Sequence, residues 1–133
     1  YLQGRFYWNK RTKLGLEKSV ELFRQATERD ANFALAYVGL AEALIVMQDY
    51  GYLSAQDTLA RAQPAVNRAL ELDPNYAPAY LYRGQILYEA KQDYRGAIQS
   101  WEKFLALTPQ GEEHTRVTRL IQEAKARLAG RSK

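Results

Sequence analysis

Apolar residues recur along this chain every three to four positions, the spacing of a helix that buries one face. Leu16, Val20, Phe23 and Ala26 form the first such stripe, and Tyr37, Leu40, Ala41 and Leu44 the second. Ala62, Val66, Ala69 and Leu70 make a third, and Tyr80, Gly84 and Leu87 begin a fourth. Tyr94, Ala97, Ile98, Trp101, Phe104 and Leu105 follow, then Val117, Leu120, Ile121, Ala124 and Leu128. Alternating strand patterns are nearly absent. The stripes predict seven helices, near 1–9, 12–29, 33–49, 54–72, 76–91, 93–107 and 112–129. Helix-start chemistry supports these breaks: Thr12 and Asp93 are placed to accept backbone N–H bonds, and Ser54 with Asp57 resembles a capping box.

One phrase occurs twice. Residues 26–37 read ATERDANFALAY and residues 69–80 read ALELDPNYAPAY, 43 positions later, with a looser echo in FLALTPQG from Phe104 to Gly111. Self-similarity at this period marks a stacked array of helical units, which places function on a displayed surface.

The residues resemble the tetratricopeptide repeat, a hairpin of two helices in about 34 residues. The third repeat fits best, with Tyr80, Gly84 and Leu87, then Ala97, Trp101, Phe104 and the closing Pro109. The second offers Tyr37, Leu40, Ala41 and Leu44, then Ala62, Val66, Ala69 and Pro74. Gly4 and Tyr7, then Ser19, Phe23 and Ala26, mark the first, with Ala31 where Pro is usual. The resemblance implies an all-α right-handed superhelix of antiparallel helix hairpins: repeats at about 1–33, 34–76 and 77–110, and a capping helix at about 112–129. We read residues 1–133 as one such domain, a fragment of a longer chain, because it starts at Tyr1 and its first residues already look mid-helical.

The spacing departs from the family in three places. The first repeat carries three extra residues around Arg11–Lys13, the second nine between Leu44 and Ala62, and the third one near Lys91. The nine-residue insertion should lengthen both helices of its hairpin and put Tyr50, Gly51, Tyr52 and Leu53 at a protruding tip. Pro64 lies inside the longer second helix and is expected to kink it. After Pro109, Glu112 and Glu113 suit a helix start and Arg127 and Arg131 a helix end, as a solvating last helix requires.

Composition narrows the function. Hydrophobic residues are 47% and charged residues 26%, which describes a globular chain rather than a disordered one. No apolar run reaches membrane-spanning length, and there is no cysteine. His114 is the only histidine, a solvated first-turn residue on this reading, and neither GxGxxG nor GxxxxGK[ST] occurs. The acid pairs Glu28/Asp30 and Glu71/Asp73 close repeats, where carboxylates serve the next helix start. No enzyme activity, cofactor or metal is therefore expected. The net charge of +4 is uneven: +4 over residues 1–18, +3 over 112–133 and −3 between them. Nucleic-acid binding and membrane insertion are not expected, and self-association stays open.

In the family, the first helices of successive repeats line a concave groove. That nominates Arg5, Trp8 and Asn9, then Val38, Glu42 and Ile45, then Leu81, Tyr82, Gln85, Tyr88 and Glu89 as contacts for an extended or helical peptide. The alternative for each is packing between helices. A second contact is nominated at Tyr50, Tyr52 and Leu53, the alternative being a tip folded back on its hairpin. The family's version that grips a C-terminal carboxylate would use the places of Tyr1, Arg5, Gly39, Pro78 and Tyr82. Only Arg5 is cationic, so that clamp is not expected.

The expected function is a non-catalytic scaffold that binds another protein or another domain of its parent chain. The alternative is the sensory or regulatory part of a bacterial multidomain signalling protein: a transcription regulator, kinase or cyclase. This second resemblance rests on YLQGRFYWNKRT and the enlarged second hairpin. A cytoplasmic location is expected, with the periplasm or the soluble part of a membrane-anchored protein as the alternative.

Overall fold

Side-chain caps set where the helices opening at Lys13, Ala55 and Tyr94 begin. In the computed structural model, which describes residues 12–131, Thr12 Oγ1 accepts from Gly15 N at 2.9 Å and opens α1, Lys13–Arg29. Helix α2 spans Ala34–Asp49 and α3 spans Ala55–Leu72, the latter opened by Ser54 Oγ accepting from Asp57 N at 3.1 Å. Helix α4, Ala77–Ile86, runs on into a π turn over Leu87–Lys91. Asp93 caps α5, Tyr94–Leu107, by accepting from Gly96 N at 2.9 Å. Helix α6 covers Glu112–Arg131 and starts on the two glutamates expected to favour it. The expected first helix, with Arg5, Trp8 and Asn9, lies outside the described residues. Among the described residues there is no strand, and the class is all-α.

The helices group into two compact units that divide between Pro74 and Asn75. In the first, α2 packs against both α1 and α3. A helix covered on more than one side buries residues around its circumference. Ala36, Val38, Gly39, Ala41, Ala43, Leu44, Ile45 and Met47 are all buried, whereas Tyr37 and Leu40 of the expected stripe are only half-buried. The expected stripe was too narrow. Phe23 of α1 fills the space a side chain at Gly39 would need: a Cβ there would lie 2.5 Å from the ring. Arg68 ties the repeated phrase to α3. Its guanidinium bonds Glu71 at 3.1 Å and the Ala31 carbonyl at 3.4 Å, and its proton is held more firmly by Glu71 first and Tyr37 second.

In the second unit α4 packs on α5 and α5 on α6. The core gathers Leu81, Leu87, Tyr94, Ala97, Ile98, Trp101, Phe104, Val117, Ile121 and Ala124. Trp101 is 1% exposed, and its indole N–H donates to the Leu81 carbonyl at 3.2 Å, so burial strands no polar atom. Gly84 is required beside it, because a Cβ there would sit 2.2 Å from the indole nitrogen. Val117, Ile121 and Ala124 are the buried line of α6, with Leu120 and Leu128 packed at its margin. This is the apolar stripe expected of a solvating helix.

The insertions are handled in two ways. Nine extra residues leave α2 and α3 at 16 and 18 residues, joined by a short tip. The single extra residue near Lys91 falls in the π turn, where each hydrogen bond spans one more residue. The chain then leaves through Gln92 at φ 57, a left-handed conformation rare outside glycine and asparagine. Helix α3 runs unbroken from Ala55 to Leu72 through Pro64.

Candidate protein-interaction surfaces

The tip of the α2–α3 hairpin is fixed by backbone bonds at its entry. Gly51 N donates to Gln48 O at 2.9 Å and Tyr52 N to Met47 O at 2.8 Å, the pair that ends a helix on a left-handed residue. Gly51 supplies it at φ 78. Ser54 then begins α3, so only a few residues lie between two caps. This short turn leaves Tyr50 and Tyr52 outside the core, 51% and 39% exposed, with ring centroids 6.1 Å apart. Leu53 is half-buried. The two aromatic rings are presented together by an ordered turn.

The expected groove residues separate by burial. Val38, Ile45 and Leu81 are only 4%, 3% and 8% exposed, so their side chains are taken up in packing. Glu42, Tyr82, Gln85 and Tyr88 are half-buried and Glu89 is exposed. Leu81, Tyr82, Gln85, Tyr88 and Glu89 would share one face of a straight α-helix. The π turn interrupts that geometry from Leu87 onward.

Tyr88 is held by three neighbours. Its ring lies 5.3 Å from Tyr94 and 5.6 Å from Trp101, and Arg127 of α6 stands 5.6 Å over it. The Arg127 guanidinium is held in its charged form by the Tyr88 hydroxyl first and the Tyr94 hydroxyl second. Neither Tyr94 nor Arg127 is among the groove residues that the sequence nominates. No local spacing reports a cation over a ring 39 positions away.

Of the residues expected at the places of a carboxylate clamp, Gly39, Pro78 and Tyr82 carry neither a cation nor an amide side chain. At Gly39 the Phe23 ring fills the space outright. Among the described residues no group of histidine, cysteine or carboxylate side chains is assembled to hold a metal, and no helix is long and apolar enough to cross a membrane.

Within each unit successive helices pack on one another, the arrangement of a helical-repeat protein. No family model matches the chain. Among curated proteins it is 32% identical over 74 residues to human tetratricopeptide repeat protein 16, covering 56% of this chain and 8% of that one. It is 29% identical over 75 residues to the transcriptional regulator HilA of Salmonella typhimurium, covering 56% of this chain and 14% of that one. The matches thus span only about a tenth of those relatives' lengths. Solved structures agree over far more of the chain. The TPR2B domain of yeast Sti1, in complex with an Hsp70 peptide, superimposes with a TM-score of 0.75 at 20% identity, covering 95% of this chain and 93% of that one. The first such domain of Spaghetti (RPAP3), bound to the HSP90 peptide SRMEEVD, gives 0.73 at 21% identity, covering 96% and 94%. These likenesses show that the chain has the tetratricopeptide-repeat fold.

Proposed function

We propose that this chain is a non-catalytic interaction module whose α4 face receives an extended or helical segment of another protein or of its own parent chain. The observation behind this is the pair Tyr82 and Gln85, which offers an aromatic ring and an amide outside the core on α4, with the Glu89 carboxylate exposed in the π turn that follows. Peptide-bound tetratricopeptide domains of the same fold support it. The clamp positions hold Gly39, Pro78 and Tyr82, so the segment bound is not expected to be a chaperone tail gripped by its terminal carboxylate. Tyr50 and Tyr52 supply a second contact, for a partner domain or a second copy. On this reading the module works in the cytoplasm.

Partners captured by the chain and identified by mass spectrometry should be lost from the Tyr82→Ala/Gln85→Ala double variant while helicity is kept. Retention of every partner by that variant overturns the α4 assignment. Retention by a Tyr50→Ser/Tyr52→Ser variant removes the second contact instead.

The HilA alignment favours a second reading, in which the array is the regulatory portion of a bacterial transcription regulator. Here the array transmits a signal within its parent chain rather than recruiting a separate protein. Effector output of the parent protein, measured with and without residues 12–131, separates the two. Unchanged output removes the regulatory reading.

A further inference from the structure

In the second unit, α5 and α6 enclose an open hollow of about 400 Å³ lined by Arg95, Ile98, Gln99, Lys125 and Leu128. Arg95, Ile98 and Gln99 share one face of α5, and Lys125 and Leu128 one face of α6. Ile98 is buried and Leu128 half-buried, so the floor is aliphatic, while the three polar side chains around it are exposed. The volume is that of a site for a few side chains.

The charges at its rim are uncompensated. Among the described residues neither Arg95 nor Lys125 forms an ion pair, whereas Arg24, Arg68 and Arg116 are each matched by a glutamate on their own helix. The nearby Asp93 carboxylate caps Gly96 N and forms no ion pair with Arg95, and Glu102 and Glu123 do not line the hollow. Arg95 also stands in the first turn of α5, where the partial positive charge of the helix end disfavours a cation. A residue placed against that rule without a local partner points to one supplied from outside. The unit as a whole leans the same way: residues 75–133 hold ten basic and six acidic side chains, against nine of each in residues 1–74.

We infer that this hollow binds an acidic peptide segment bearing leucine-like side chains. Carboxylates pair with Arg95 and Lys125, the Gln99 amide takes a backbone group, and an aliphatic side chain rests on Ile98 and Leu128. A peptide fits better than a nucleic acid, because the aliphatic floor would lie under a sugar-phosphate chain without use. The hollow lies on the α5–α6 side and does not include the α4 residues proposed above, so the two assignments fail independently.

The test is fluorescence anisotropy on the whole chain with a fluorescein-labelled peptide of alternating glutamate and leucine, and amide-shift mapping of the same complex. Binding should weaken about tenfold or more in Arg95→Glu and in Lys125→Glu, the loss expected for one charge-assisted hydrogen bond. A peptide with glutamine for glutamate should weaken similarly, and added salt should reduce affinity. Circular dichroism should be unchanged, since both side chains are exposed. Shifts should centre on Arg95, Gln99 and Lys125. The inference is overturned if charge reversal leaves affinity intact or if the shifts fall elsewhere. It is equally overturned if an oligothymidylate or phosphatidylserine-containing vesicles compete for the site as tightly as the peptide.

Discussion

Both units seat a large aromatic ring on a glycine, yet they secure the ring differently. In the first unit Phe23 lies against Gly39 and has no polar atom to satisfy. In the second, Trp101 lies against Gly84, donates to Leu81 O, and is flanked by Tyr88 beneath Arg127. Insertions differ in parallel. The first unit carries its nine residues out to a capped tip, and the second takes its one residue into a helix as a π turn. A long insertion can leave the core through a turn with its own hydrogen bonds. A single residue has no such exit, so the helix itself widens.

The largest loss is expected from Trp101→Ala. It removes the second unit's central ring and the indole's bond to the Leu81 carbonyl, and we expect a loss of about 3–5 kcal/mol in chemical denaturation. A loss near that of a surface change would mean the second unit is not built around this ring.

Gly39→Ala and Gly84→Ala test whether both contacts are equally unyielding. Alanine is the better helix former by about 1 kcal/mol, but each added Cβ meets a ring under 3.0 Å away. We expect net losses of about 1–3 kcal/mol, larger at Gly84, where the ring is also hydrogen-bonded. A stabilised Gly84→Ala variant would show that the indole can move aside.

The tip should contribute far less to folding. Tyr50→Ser together with Tyr52→Ser is expected to change stability by no more than about 0.5 kcal/mol, read from thermal melts. A larger loss would mean that the tip packs as the π turn does.

The smallest effect is electrostatic. Glu21 has its pKa lowered from 4.5 to about 2 by its hydrogen bond to Arg24, then by that to Gln25. A depressed folded-state pKa adds stability above the unfolded value that is lost as the pH falls through the folded one. The melting difference between the wild type and Glu21→Gln should therefore be present at neutral pH and fade between about 4.5 and 2. It should be slight, because Arg24, Glu21 and Glu28 are all solvent-accessible. A difference independent of pH would rule out the ion pair as its source.

Local chemistry was legible in the chain. Caps at Thr12, Ser54 and Asp93 rest on residues three apart, and the α6 stripe on a period that sequence displays directly. The apolar character of Val38, Ile45 and Leu81 was equally plain, but whether such residues face a groove or a core depends on which helices cover them. In α2, apolar nearly all round, no polar face remains to give the orientation. The extra residue near Lys91 could be counted. Its absorption into a π turn could not, because α and π hydrogen bonding suit the same side chains and packing decides between them. The rim of Arg95 and Lys125 joins two helices thirty positions apart, and neither helix's pattern alone announces it.

The indole of Trp101 also makes the second unit optically readable. The chain has two tryptophans, so a Trp8→Phe variant leaves Trp101 as its only indole emitter. Buried and hydrogen-bonded to a carbonyl, that indole should emit at short wavelength and shift to the red when water reaches it. Tyr88 of the π turn, at 5.6 Å, is close enough to hand its excitation across, so the part of the tyrosine-sensitised tryptophan emission that a Tyr88→Phe variant lacks should persist while the π turn and α5 remain packed. Loss of that part would time the separation of the π turn from α5 without any attached dye.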